Sequence, residues 1–271
     1  MIIKNLSEIS KVFYKLGLLL VISLLMSACV TETKVTNGRL SSAKPAVDNE
    51  TKADNHTQLA ASYMQLEQYI VAEQEVTKAL EIDPGNSRAN YVAALLSLKL
   101  ERFTEAEKHF EKAIKKDERN SAAAHDYGVY LCRSGRALES ISYFDIAIAD
   151  PLFINKPISY LRAGECIASS DREKAKQYLL SGLKETPGLT PALYRMAEIL
   201  YLEKNTLQAR AYFERYVAVA GTSPQSLLLG YRIEMQANST NVADQYRTEL
   251  LQKYPGSKEA STLRKLIGLR G

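Results

Sequence analysis

Tryptophan is missing from this 271-residue chain, and cysteine and histidine occur only three times each. Glycine (13) and proline (8) are sparse, whereas tyrosine is plentiful at 16. Tyrosine and alanine without tryptophan suit stacked helices better than a β-sandwich. The three histidines, His56, His109 and His125, are scattered and do not cluster as metal ligands. His109 reads as a solvated helix residue. There is no P-loop, no Gly-x-Ser-x-Gly elbow, no His-Glu-x-x-His and no Cys-x-x-Cys. Ser41-x-x-Lys44 has a Ser–Lys spacing, but it lies in a polar stretch where nothing would hold its geometry. These absences give no support for catalysis, and no cofactor or metal is expected. Charge of one sign is lacking too. The formal net charge is +4, and acidic and basic residues alternate along the expected helices, which excludes a nucleic-acid footprint. The one long apolar run, Leu16–Met26, is too short for a comfortable transmembrane helix.

That run belongs to a leader. Lys4, Lys11 and Lys15 precede it, and Ser27-Ala28-Cys29 ends it, so residues 1–28 read as a secretory signal peptide. Leu25-Met26-Ser27-Ala28-Cys29 resembles a bacterial lipobox. The resemblance implies cleavage before Cys29 and lipidation of Cys29 through thiol and amine, three acyl chains that anchor the protein firmly. The other reading is an ordinary signal peptide with a chance cysteine. Val30, where sorting to the inner membrane would favour Asp, points to the periplasmic face of the outer membrane. Residues 29–52 then form a lipidated flexible tether. Val30–Lys52 is rich in Thr, Ser, Lys and Asn without apolar period, and a flexible chain of that length spans roughly 25–30 Å.

From Ala53 onward a small residue recurs at Ala72, Ala106, Ser140, Ala175, Ala209 and Ala243, in steps of 34, 34, 35, 34 and 34. The first unit continues as Leu59-Ala60-x-x-Tyr63, Ala72, Val76, Ala79 and Pro84; the third has Tyr127-Gly128-x-x-Leu131, Ser140, Phe144, Ala147 and Pro151. Period and order resemble the tetratricopeptide repeat. Small residues sit where two helices cross, and larger ones fill the gap between hairpins. The expected fold is all-α, a right-handed superhelical solenoid of six helical hairpins at about 53–86, 87–120, 121–155, 156–189, 190–223 and 224–257. A capping helix, Lys258–Leu269 with Ser257 as its N-cap, completes residues 53–271. The sixth unit is degenerate, with Arg247 in the apolar place. Asp150–Ile158, with two prolines, reads as a longer or kinked connection, either an ordinary turn or a subdomain break.

In such an array the first helices line a concave groove. Its expected residues are Tyr91, Leu95, Leu98, His125, Val129, Tyr160, Tyr194 and Tyr201, a mainly aromatic and aliphatic set with little charge. It suits an amphipathic helix or an extended apolar peptide; alternatively some of these side chains pack on the next repeat. Cys132 and Cys166 are 34 apart and fall late in adjacent first helices. They read either as two buried thiols or, in an oxidising compartment, as a disulfide.

Lipobox, tether, six repeats, the string His125-Asp126-Tyr127-Gly128-Val129-Tyr130-Leu131-Cys132 and the ending Leu251-x-x-Tyr254-Pro255-Gly256-Ser257-x-Glu259-Ala260 together resemble the type IV pilus biogenesis lipoprotein family (PilF/PilW). The resemblance implies a non-enzymatic pilotin, monomeric by itself and without cofactor. Such a protein binds the secretin subunit and promotes its outer-membrane localisation and multimerisation. The alternative client set is peptidoglycan enzymes or the outer-membrane protein assembly machinery.

Overall fold

The 34-residue period marks the closest helix approaches. Ala72, Ala106, Ser140, Ala175, Ala209 and Ala243 are all fully buried in the computed structural model. The structure describes residues 48–117 and 120–268. The expected signal peptide, Cys29 and the tether up to residue 47 lie outside the described residues.

Among the described residues there are thirteen helices and no strand: α1 Asn49–Gln65, α2 Tyr69–Ile82, α3 Ser87–Lys99, α4 Phe103–Lys116, α5 Ser121–Arg133, α6 Ala137–Ala149, α7 Lys156–Ile167, α8 Arg172–Glu185, α9 Thr190–Leu202, α10 Thr206–Ala220, α11 Pro224–Gln236, α12 Thr240–Lys253 and α13 Lys258–Leu266. They pair as six hairpins from α1–α2 to α11–α12, and α13 packs on the last. Each second helix also packs on the following first helix. First helices touch their successors (α1 on α3, α5 on α7, α7 on α9, α9 on α11), and second helices make no comparable contact. The first helices therefore line the inner face of the solenoid.

Local chemistry sets the helix starts. Asp48, Asn86, Asn120 and Ser223 cap α1, α3, α5 and α11 by accepting a backbone N–H three residues on. Helices α7 and α9 lack such a cap and instead carry Pro157 and Pro191 in the first turn, where a missing N–H costs nothing. Asp48, 2.6 Å from the Thr51 amide, starts α1 at Asn49, ahead of the Ala53 boundary read from the apolar period. That first turn is polar, so periodicity alone could not reveal it. Ser257 caps α13 as its sequence position suggests, 3.0 Å from the Ala260 amide.

The extra residue of the 35-step alters two connections. Five of the hairpin turns have three residues, with Glu67, Glu101, Gly135, Lys204 or Asn238 at positive φ. The fourth, between α7 and α8, has four residues and none at positive φ, and Asp171 caps α8 there. The link between α6 and α7 spans 150–155, longer than every other link between hairpins. It is no subdomain break, because one core cluster runs through Ile141, Phe144 and Leu161.

Two sequence readings need correction. His109 is not a solvated residue: it is mostly buried, with Nδ1 3.0 Å from Oδ1 of Asn90. In the sixth hairpin the large residue is Tyr246, one place before Arg247. Its ring meets Phe213 edge to face at 5.6 Å, and Arg247 pairs with Asp244 at 3.3 Å. Gly230 leaves room for these rings; a Cβ there would come within 2.7 Å of Phe213 and 3.1 Å of Tyr246.

Candidate protein-binding face

The eight groove residues all stand on first helices and are all half-buried. Tyr91, Leu95 and Leu98 on α3 pack against the core of the second and third hairpins. Val129 on α5 and Tyr194 and Tyr201 on α9 pack against the core that continues into the fifth. Tyr160 on α7 approaches Tyr178 at 6.4 Å between ring centroids. The face is therefore partly core and partly surface.

Hydrogen bonds tie its upper members to the next repeat. The Tyr91 hydroxyl donates to Oδ2 of Asp126 at 2.5 Å. Burial and the neighbouring carboxylate both push the Tyr91 phenol far above its usual pKa, so it remains a donor. Nδ1 of His125 lies 2.7 Å from Oγ of Ser159, and its ring meets Phe144 edge-on at 5.9 Å. Tyr194 meets Tyr216 edge-on at 5.4 Å. Sequence could not reveal these ties, because each partner lies in another helix at a register that the packing sets.

Cys132 and Cys166 are joined in a disulfide, Sγ to Sγ 2.18 Å with Cα atoms 5.8 Å apart. The one-residue slip accounts for their meeting. Cys132 is the twelfth residue of α5, whereas Cys166 is only the eleventh of α7. Beside the bridge is a cleft of about 170 Å³ whose walls include Val129, Phe144, Arg133 and Arg162. A second, of about 180 Å³, lies between Tyr194, Tyr201, Leu228, Leu229, Arg232 and Glu259. The face therefore carries more charge than the sequence reading gave it. Leu228 and Arg232 were missed for a simple reason. They occupy the fifth and ninth places of the sixth unit, and the same spacing rule carried one repeat further would have found them. Among the described residues, no group of three or more His, Cys, Asp or Glu side chains could hold a metal ion.

His125 makes the face sensitive to acid. Burial holds its imidazole below the ordinary value of 6.5; Asp126 opposes this and Arg162 reinforces it. A pKa lower in the fold than in the unfolded chain means that the folded state favours neutral imidazole. The contribution is complete above about pH 6.5 and is lost as pH falls through the folded value. Urea unfolding at pH 7 and pH 5 should show a smaller acid loss in His125→Phe than in the wild type. Equal losses would remove His125 from the account.

Stacked hairpins of this length with an inner face of half-buried aromatic and aliphatic side chains define a tetratricopeptide-repeat solenoid protein. The tetratricopeptide repeat family model matches residues 63–126. The curated type IV pilus assembly protein PilF of Pseudomonas aeruginosa is 26% identical over 228 residues, 83% of this chain and 90% of PilF. A solved structure of Pseudomonas aeruginosa PilF superposes with a TM-score of 0.68, covering 80% of this chain and 98% of that one. PilW, a widely conserved type IV pilus biogenesis factor, is 30% identical, with a TM-score of 0.65 and coverage of 78% of this chain and 97% of PilW. This chain belongs to that family of type IV pilus biogenesis proteins.

Proposed function

We propose that this chain is a non-enzymatic pilotin. It binds the secretin subunit in the periplasm and promotes its localisation to the outer membrane and its multimerisation. The observation that carries the reading is the line of half-buried apolar side chains on α3, α5, α7 and α9, in a chain of the PilW family. An apolar secretin segment laid along that line buries surface on both partners, and tyrosines are frequent energetic anchors in such contacts. Lipid on Cys29 holds the complex at the periplasmic face of the outer membrane. Two acyl chains already give stable anchoring, and a lipidated N-terminal cysteine carries three.

The test is the yield of heat-resistant secretin multimers in outer-membrane fractions of a deletion strain. The strain is complemented with wild type, Cys29→Ala, or Tyr91→Ala with Leu95→Ala. Multimers should be lost in the deletion and restored by the wild type alone. The groove double variant should weaken secretin binding at least about tenfold, as loss of one anchor of more than 1.4 kcal/mol does, while its helical circular dichroism is retained. Unchanged multimers throughout would assign the protein another client.

A further inference from the structure

The six-residue link between α6 and α7 displays the two most exposed large apolar residues among those described, Leu152 at 90% and Ile154 at 88%. The link is built to hold them out. Asp150 folds it back by accepting the Leu152 amide at 2.9 Å. The Phe153 amide donates to the Asp150 carbonyl at 3.3 Å, and the Lys156 amide to the Phe153 carbonyl at 3.1 Å. The Phe153 side chain points the other way, into the core of the second and third hairpins, with its ring 6.0 Å from that of His125. Pro151 and Pro157 fix φ on either side. The result is a finger with an aromatic root and an aliphatic tip.

We infer that this finger inserts into the lipid surface and sets the orientation of the solenoid on the membrane. The inference rests on the anchoring reading of Cys29. Every first helix begins, and every second helix ends, on one edge of the solenoid. The chain enters α1 on that edge at Asp48, and the finger stands on the same edge. The 19 residues from Val30 to Asp48 span at most ~65 Å, so an anchored Cys29 keeps this edge within reach of the bilayer. The tip also has the chemistry of a membrane contact. No acidic residue lies between Pro151 and Pro157, and Lys156 supplies a cation next to the apolar tip. The Trp, Tyr and Arg anchors that dominate protein interfaces are absent from it. A tip exposed on all sides requires either a deep pocket in a partner or a fluid apolar phase, and only the fluid phase needs no complementary shape. Among the described residues no helix is long and apolar enough to cross a membrane, so the finger would add a shallow contact to the lipid anchor.

The absence of tryptophan makes the test direct. The full chain carrying Leu152→Trp is added to phosphatidylethanolamine–phosphatidylglycerol vesicles, with Cys29 intact or replaced by Ser. Leu138→Trp, on the opposite edge and 77% exposed in the wild type, is the control. Expected are a blue shift and protection from an aqueous quencher at position 152, with neither at 138. Ile154→Ser in the Leu152→Trp chain should lower vesicle partitioning of the Cys29→Ser form at least about tenfold, since the substitution removes much of the apolar surface that the tip would bury. A vesicle-bound Leu152→Trp chain whose indole stays unshifted and quenchable would overturn the finger and leave the anchor standing. A shift at 152 that does not depend on Cys29 would support the finger and remove the need for the anchor. A chain that neither binds vesicles nor shifts would overturn both. A shift produced by purified secretin and not by vesicles would overturn the inference in favour of protein docking.

Discussion

Phe144→Ala is expected to destabilise the solenoid by about 3–5 kcal/mol, the usual cost of removing a fully buried phenylalanine. The ring is 0% exposed and sits beneath the inner face of the solenoid. Gly128 has no side chain because the ring passes over it; a Cβ at 128 would come within 3.0 Å of Phe144. His125 rests edge-on against the same ring, and the cleft beside the disulfide is partly walled by it. The helices on either side, α5 and α7, are joined to each other by the Cys132–Cys166 bridge, which limits their collapse into the space. A loss of this size is a large share of the roughly 5–15 kcal/mol that holds a domain folded. Chemical unfolding followed by circular dichroism measures it. A loss below about 1 kcal/mol, the range of tolerated core swaps, would mean that the ring is not the plug this packing makes it.

Removing the disulfide, with Cys132 and Cys166 both replaced by Ser, has the second largest expected effect. A bridge closing 34 residues restrains the unfolded chain by about 3–4 kcal/mol in the loop-entropy model. The position of the bridge matters as much as its size. It joins the third hairpin to the fourth, where the slip lengthens the link to six residues. Stability in a solenoid is a sum over repeats and their nearest neighbours, so weakening one junction lowers cooperativity there first. Thermal scans of the oxidised protein should give one transition. The double Ser variant, and the wild type with reductant, should melt earlier and over a broader range. Identical scans in all three would remove the bridge from the stability account.

How far the face was legible follows from where each interaction originates. The hairpins were readable because a small residue at a crossing and an apolar residue four places on are requirements within one hairpin. The groove residues were readable as positions but not as environments. Tyr91 is tied to Asp126 and His125 to Ser159, partners 35 and 34 residues away, so each side chain's exposure depends on a helix that its own sequence neighbourhood does not specify. The same holds for His109, polar in sequence yet mostly buried beside Asn90, and for Tyr246, whose half-buried ring packs on Phe213 one place before Arg247.

By itself the sequence determined the fold class, the six hairpins, the crossing residues, the Ser257 cap and the family likeness. All of these depend on short-range periodicity or on strings of adjacent residues. Tertiary structure alone decided how the single extra residue is absorbed, in a longer α6–α7 link and a four-residue α7–α8 turn. From that came the register that brings Cys166 to Cys132 and the finger that holds Leu152 and Ile154 in solvent. The physical reason is that a one-residue insertion leaves every local helix signal intact, and only packing between repeats selects where the chain bulges.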